Sequence, residues 1–347
     1  MKHHVVSRSN DNHIILCFRQ SIASVSAIFT ISILSLCTMT GCGTTVPLPT
    51  SDSLPVNTLV DESGLPIEAD ESQDTVKGSR DNTPQIMKPS APGNDKCGNE
   101  KVELDISNID SGYFVVNYGG GNPKVKVEVN GPENIQYLFD ITDGDQVIPL
   151  TQTSGTYNIA IHENVSDNTY AMIFSTEITA NITNEFSPYL YPNCYVDFDE
   201  TSDVVAMGED LAYTADSDLD VISNVFNYVI TNITYDDAFA ASVGKGYTPY
   251  PDNTLHSKKG ICFDFSSLMA AMLRSQRIPT RLEVGYAGET YHAWISTYIE
   301  DIGWVNGIIE FDGENWELMD PTFSASNGTE RVQQYIDDGN YTTQYMY

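Results

Sequence analysis

The chain has 347 residues, and 17 Lys and Arg stand against 48 Asp and Glu, for a formal net charge of -31. That balance excludes nucleic acid as a partner and disfavours adhesion to anionic head groups, since both need clustered basic side chains. Apolar residues at 41% suffice for packed cores, and the length suits two ordinary domains.

Lys2, Arg8 and Arg19 give a basic start, followed by an apolar run from about Ser21 to Cys37 and by Met39-Thr40-Gly41-Cys42. A basic start, a short apolar segment and small residues at a cut site describe an export signal. The run is shorter than the roughly 20 residues of a spanning helix. Cys42 directly after Thr40-Gly41 resembles the lipobox of bacterial lipoproteins, where cleavage before the cysteine leaves it acylated. The resemblance implies a signal peptide and lipobox over 1–42 with Cys42 as the lipid attachment. It also implies a membrane contact through that lipid and a location on the extracellular face of the bacterial cell membrane. An uncleaved anchor or plain secretion is the alternative, and each places the mature protein outside the cytoplasm.

Residues 43–96 hold no Phe, Trp or Tyr but seven of the sixteen prolines. Such a segment buries too little apolar area to offset its ordering entropy, so a disordered tether is expected. Its 54 residues would span roughly 40 Å as a flexible coil.

Over 97–200 the pattern becomes short alternating runs. Val102–Ile106, Lys124–Val129, Tyr157–Ile161 and Tyr170–Phe174 read as strands, punctuated by Gly119-Gly120-Gly121-Asn122-Pro123 and Asp143-Gly144-Asp145. Strands at this spacing suggest a small antiparallel, immunoglobulin-like β-sandwich. His162 is alone in a strand and is expected on the solvent face. Cys97 and Cys194 bracket the domain as a candidate disulfide, which spacing alone does not establish.

From 201 to 347 the period is helical. Leu219, Ile222, Phe226, Val229, Ile230 and Ile233 form one stripe. The preceding Asp216-Ser217-Asp218-Leu219-Asp220 superficially matches a calcium loop, but Val221 stands where glycine is needed and no glutamate fills the twelfth position. Helix capping explains these aspartates better, and no metal or cofactor is expected.

Gly260-Ile261-Cys262-Phe263-Asp264-Phe265 opens a second helix, with Phe265, Leu268, Met269 and Met272 as its buried stripe. A cysteine at a helix N-terminus is exposed to unpaired N–H groups and the dipole, which favour thiolate. Lys258 and Lys259 just before it add positive charge. Beyond the signal the histidines are His162, His256 and His292. His256 is in a polar loop, whereas His292 belongs to the alternating strand Tyr291-His292-Ala293-Trp294-Ile295 and is held more firmly, as a base must be. Asp320, ending the run Trp316–Asp320 before Pro321, suits the group that orients the imidazole.

These motifs, together with Arg277-Ile278-Pro279-Thr280-Arg281 and Gly285-Tyr286, resemble the transglutaminase-like superfamily over roughly 204–347. The resemblance implies an α+β, papain-like core with a helix-borne cysteine against an antiparallel sheet. It implies a Cys262, His292, Asp320 triad and thiol acyl-transfer chemistry. The expected function is an extracellular, membrane-anchored enzyme acting on protein or peptide amides at the cell envelope through a Cys262 thioester, by hydrolysis or by cross-linking. The alternative is a catalytically silent surface-binding or assembly protein on the same fold. Backbone N–H of Cys262 is the obvious oxyanion donor, with Tyr235, Tyr247 and Trp294 as side-chain candidates.

Overall fold

A computed structural model describes residues 75–347 apart from 143, 245, 288–289, 301, 308, 312–315 and 319–340. The signal segment, Cys42 and Asp320 therefore lie outside the described residues.

The alternating runs fold as two four-stranded antiparallel sheets. One contains β1 (Lys96–Gly98), β2 (Val102–Asp105), β3 (Tyr113–Tyr118) and β6 (Gly144–Pro149), in the order β1-β2-β3-β6. The other contains β4 (Val125–Asn130), β5 (Gln136–Ile141), β7 (Gly155–Ser166) and β8 (Thr169–Ala180), in the order β5-β4-β7-β8. Period two governs the packing: Val125, Val127 and Val129 are buried, while Lys126, Glu128 and Asn130 between them keep partial access to solvent. Leu104, Phe114 and Val116 from the first sheet share a core with Val127, Phe139 and Ile161 from the second.

Three expectations for this region change. Cys97 and Cys194 are both free thiols. Cys97 is in the edge strand β1, whereas the amide of Cys194 donates to Val147 of β6 at the opposite edge. Three strand spacings, roughly 14 Å, exceed the Cα separation of about 7 Å that a disulfide tolerates. His162 is on the outer face with Lys126 and Glu128, but half-buried there, and its Nε2 is 3.1 Å from Glu128 Oε2. This contact and hydrogen bonds from Asn130 and Gln136 hold the Glu128 carboxyl down at about 2.

The third change concerns the tether. Residues 78–85 run along the helical half in a fixed path. Gly78 and Arg80 amides donate to Tyr213 and Ala215 carbonyls, and the Gln85 amide donates to Ser275. The Arg80 guanidinium bonds Asp218 at 2.6 Å and the Gln276 carbonyl at 2.5 Å, while Arg277 donates to the carbonyls of Asp81 and Thr83. Hydrogen bonding to distant backbone holds this polar stretch without an apolar stripe.

The helical half is built on α5 (Cys262–Ser275), in which every residue from Asp264 to Ser275 is buried. The helices α1 (Asp203–Ala212), α2 (Asp218–Asn232) and α4 (Pro251–Ser257) pack against it. α2 carries the expected stripe and starts with a capping box between Ser217 and Asp220, which accounts for the aspartates there. The strands β11 (Thr280–Ala287) and β12 (Thr290–Ile299) also pack against α5. They are central in an antiparallel sheet of order β13-β12-β11-β16, completed by β13 (Gly303–Gly307) and β16 (Tyr341–Met346). A buried arginine, Arg274, ties helix to sheet by donating to the carbonyls of Thr280, Tyr191 and Tyr347 at 2.7–3.0 Å.

Candidate active site

The site begins with a short parallel pairing. Strand β9 (Thr234–Tyr235) pairs with β10 (Lys259–Gly260), and the Asp236 amide donates to the Gly260 carbonyl at 2.8 Å. This brings the chain to α5 through Gly260, where a Cβ would lie 2.6 Å from Cβ of Asp264; glycine is required by that approach. Ile261 then stands as N-cap and Cys262 as the first helical residue. Ile261 has no capping oxygen, so Asp264 supplies one by accepting from the Ile261 amide at 2.8 Å. The Tyr247 hydroxyl donates to the other oxygen of Asp264 at 2.5 Å. Burial still pushes the Asp264 carboxyl above its ordinary value.

Cys262 and His292 line one cavity of about 90 Å³. Helix α5 contributes the thiol, and β12 contributes the imidazole, opposite Gly285 of β11 in register. The His292 and Trp294 rings lie on the same face of β12, 6.3 Å apart. Tyr195, Tyr235, Phe263 and Tyr347 are among the aromatic walls.

Local and global effects on the thiol oppose each other. Cys262 is half-buried in the cavity wall. Desolvation pushes Cys262 up to about 11, outweighing the backbone donors at Ala293 of β12 and at Phe263 of the helix start, which favour thiolate. Neither preceding lysine offsets this. Lys259 is paired with Asp236 at 2.9 Å, and Lys258 is over the Tyr228 ring. Burial thus works against the thiolate that the helix terminus favours.

Of the other expected site residues, His256 is an exposed residue of α4 with Asp203 at 2.7 Å and does not line the cavity. Tyr235 and Tyr247 do line it, with the Tyr247 hydroxyl engaged by Asp264, while Trp294 is in the packed interior. The strand before Asp320, β15 (Trp316–Leu318), pairs with β14 (Ile309–Phe311), whereas the described neighbours of β12 are β11 and β13. Asp140 of β5 is a lining residue that no motif announces, since it comes from the all-β half.

The family model described as Transglutaminase-like superfamily matches residues 206–307, a span that contains Cys262 and His292 but stops short of Asp320. A 102-residue stretch is 31% identical to "Uncharacterized protein YebA" of Bacillus subtilis (strain 168), covering 24% of this chain and 13% of that protein. Among solved structures, a "Putative Cysteine Protease" from Cytophaga hutchinsonii has a TM-score of 0.32 and 15% identity, over 61% of this chain and 67% of the other. Red sea bream transglutaminase has a TM-score of 0.25 and 13% identity, over 60% and 48% respectively. Residues 206–307 are a transglutaminase-like domain, within a mixed α/β chain rich in antiparallel sheet.

Proposed function

We propose that the protein is a thiol enzyme that acts on protein or peptide amides through a thioester on Cys262. The observation that carries this reading is the shared cavity: a cysteine at the first position of a buried helix and a strand-borne histidine line the same space. In the reaction, Cys262 gives its proton to His292 and attacks the amide carbonyl carbon. The tetrahedral intermediate collapses as His292 protonates the leaving nitrogen, which departs as ammonia or an amine. Water or a primary amine then attacks the thioester, His292 takes its proton, and the Cys262 sulfur leaves. Asp320 is proposed to orient the imidazole, and the Cys262 backbone N–H to face the developing oxyanion.

The wider setting is proposed on the same footing. Cys42 is the acylated residue of a lipoprotein on the outer face of the bacterial cell membrane, the part of 43–96 that precedes residue 77 is a tether, and the two sheets of the all-β half are an immunoglobulin-like sandwich. The substrates are then proteins or peptides of the cell envelope.

One observation favours a second reading. A thiol held at about 11 is almost wholly protonated at neutral pH, as a catalytically silent binding protein would tolerate. The deciding experiment offers the purified full chain, and its Cys262→Ala variant, a glutamine-containing peptide with and without a labelled primary amine. Amine incorporation lost in the variant identifies a transferase, and cleavage or deamidation lost in the variant identifies a hydrolase. No Cys262-dependent product supports the silent protein.

A further inference from the structure

The all-β half contributes a charged group to the cavity. Asp140, on β5, lines it together with Cys262 and His292, and it is the carboxylate among the described lining residues. Around the same space are the rings of Tyr195, Phe263, Tyr291 and Tyr347. A carboxylate among aromatic faces is the chemistry of a site for an ammonium or guanidinium group, because the acid neutralises the charge and the ring quadrupoles attract it.

Two details show that this carboxylate is placed. Lys126 of β4 reaches both Asp140 oxygens, at 2.8 and 2.9 Å, without being a lining residue itself. It offsets part of the acid's charge, while each oxygen retains a further lone pair that a second cation could share. The loop in front approaches through Gly246, which has φ +77° and would place a Cβ 3.0 Å from Asp140 Cγ. A side chain there would be strained and would press on the acid, so glycine lets the loop lie directly against Asp140. Aromatic packing fixes the two halves together at this point: Phe139, next to Asp140, stacks with Tyr195 at 5.7 Å, and Tyr195 contacts Phe263 at 5.3 Å, next to Cys262.

We propose that Asp140 is a specificity-determining residue and that the substrate group seated beside the thiol is a cation, an ammonium or guanidinium carried by a peptide or protein. The inference rests on the reading above in taking Cys262 as the reacting end of the cavity.

The test labels Cys262 in the full chain with a charge series of thiosulfonates, aminoethyl (cationic), propyl (neutral) and sulfonatoethyl (anionic). In each case the Cys262 sulfur forms a disulfide and methanesulfinate leaves. Rates are read by mass mapping of the Cys262 peptide and normalised to the same series on the urea-unfolded protein. The expected result is a normalised cationic-to-neutral ratio of roughly two in the wild type, because Lys126 offsets part of the carboxylate's charge. Asp140→Asn, which leaves Lys126 without its counter-charge, should bring the ratio below one, and Lys126→Met, which frees the acid, should raise it to roughly five. Equal ratios in the wild type and both variants would overturn the proposal. A protein inert toward amides that keeps this bias removes the catalytic reading and supports the cation site. An active enzyme without the bias does the reverse.

Discussion

Tyr247 donates its phenolic hydrogen to Asp264, the residue two places after Cys262, and thereby fastens the loop that faces the cavity to the helix that carries the thiol. A hydrogen bond to a charged acceptor is worth about 1.5–3 kcal/mol. Tyr247→Phe should therefore loosen the loop and raise the rate of Cys262 alkylation by about tenfold, with the far-ultraviolet dichroism unchanged. Unaltered alkylation would show that the pair does not control access.

The thiol's own titration gives a second prediction. In the native protein, iodoacetamide labelling of Cys262 should rise with a midpoint near about 11, against about 8.5 for a cysteine in urea. The folded state retains the proton longer than the unfolded state, so the contribution to stability is complete below the unfolded value. It is lost as pH rises toward 11. Chemical denaturation of wild type and Cys262→Ala between pH 8 and 10.5 should show the wild type alone losing this increment. A native midpoint at or below 8.5 would contradict the assigned burial.

Glu128 works in the opposite sense. Its carboxyl is held at about 2, first by His162 and then by Asn130 and Gln136, with 24% of its side chain exposed. The stabilisation is present above the unfolded value near 4.5 and disappears as pH falls toward 2. Glu128→Gln should cost about 1–2 kcal/mol at pH 7, and the difference should shrink steadily below pH 4. Urea midpoints measured across that range test it.

Arg274 joins three carbonyls from separate segments inside the protein. Replacing it by Met leaves those oxygens without their donor and should cost at least about 3 kcal/mol. The melting temperature should fall by roughly 6–12 °C. A loss below 1 kcal/mol would mean that the interior repacks around the shorter side chain.

The two helices were legible because their apolar stripes are local: Leu219 to Ile233 and Phe265 to Met272 repeat at helical spacing whatever surrounds them. The cysteine and histidine could be paired because a helix start and an alternating strand are both local signals. Residues 78–85 carry no such signal, since their order depends on Arg80 and Arg277 meeting carbonyls far away in the chain. Asp140 was hidden for a related reason. On β5 it stands between the buried Phe139 and Ile141 with no local signal of a site, and it lines the same cavity as Cys262 only in the folded chain. The raised thiol likewise comes from burial, whereas a terminal position on a helix suggests the opposite. The disulfide expectation failed because sequence order placed Cys97 and Cys194 at matching ends, while sheet order placed them at opposite edges.

The hydrogen bonds of residues 78–85 have a mechanical consequence. They engage α5 at its C-terminal end, through Ser275, Gln276 and Arg277, whereas Cys262 starts the same helix. Fourteen helical residues separate the two ends by about 21 Å. Tension applied to the backbone before Lys77 would thus load Arg80 and Arg277 in shear and peel away the 78–85 segment. Those hydrogen bonds stand between Lys77 and the thiol end of α5.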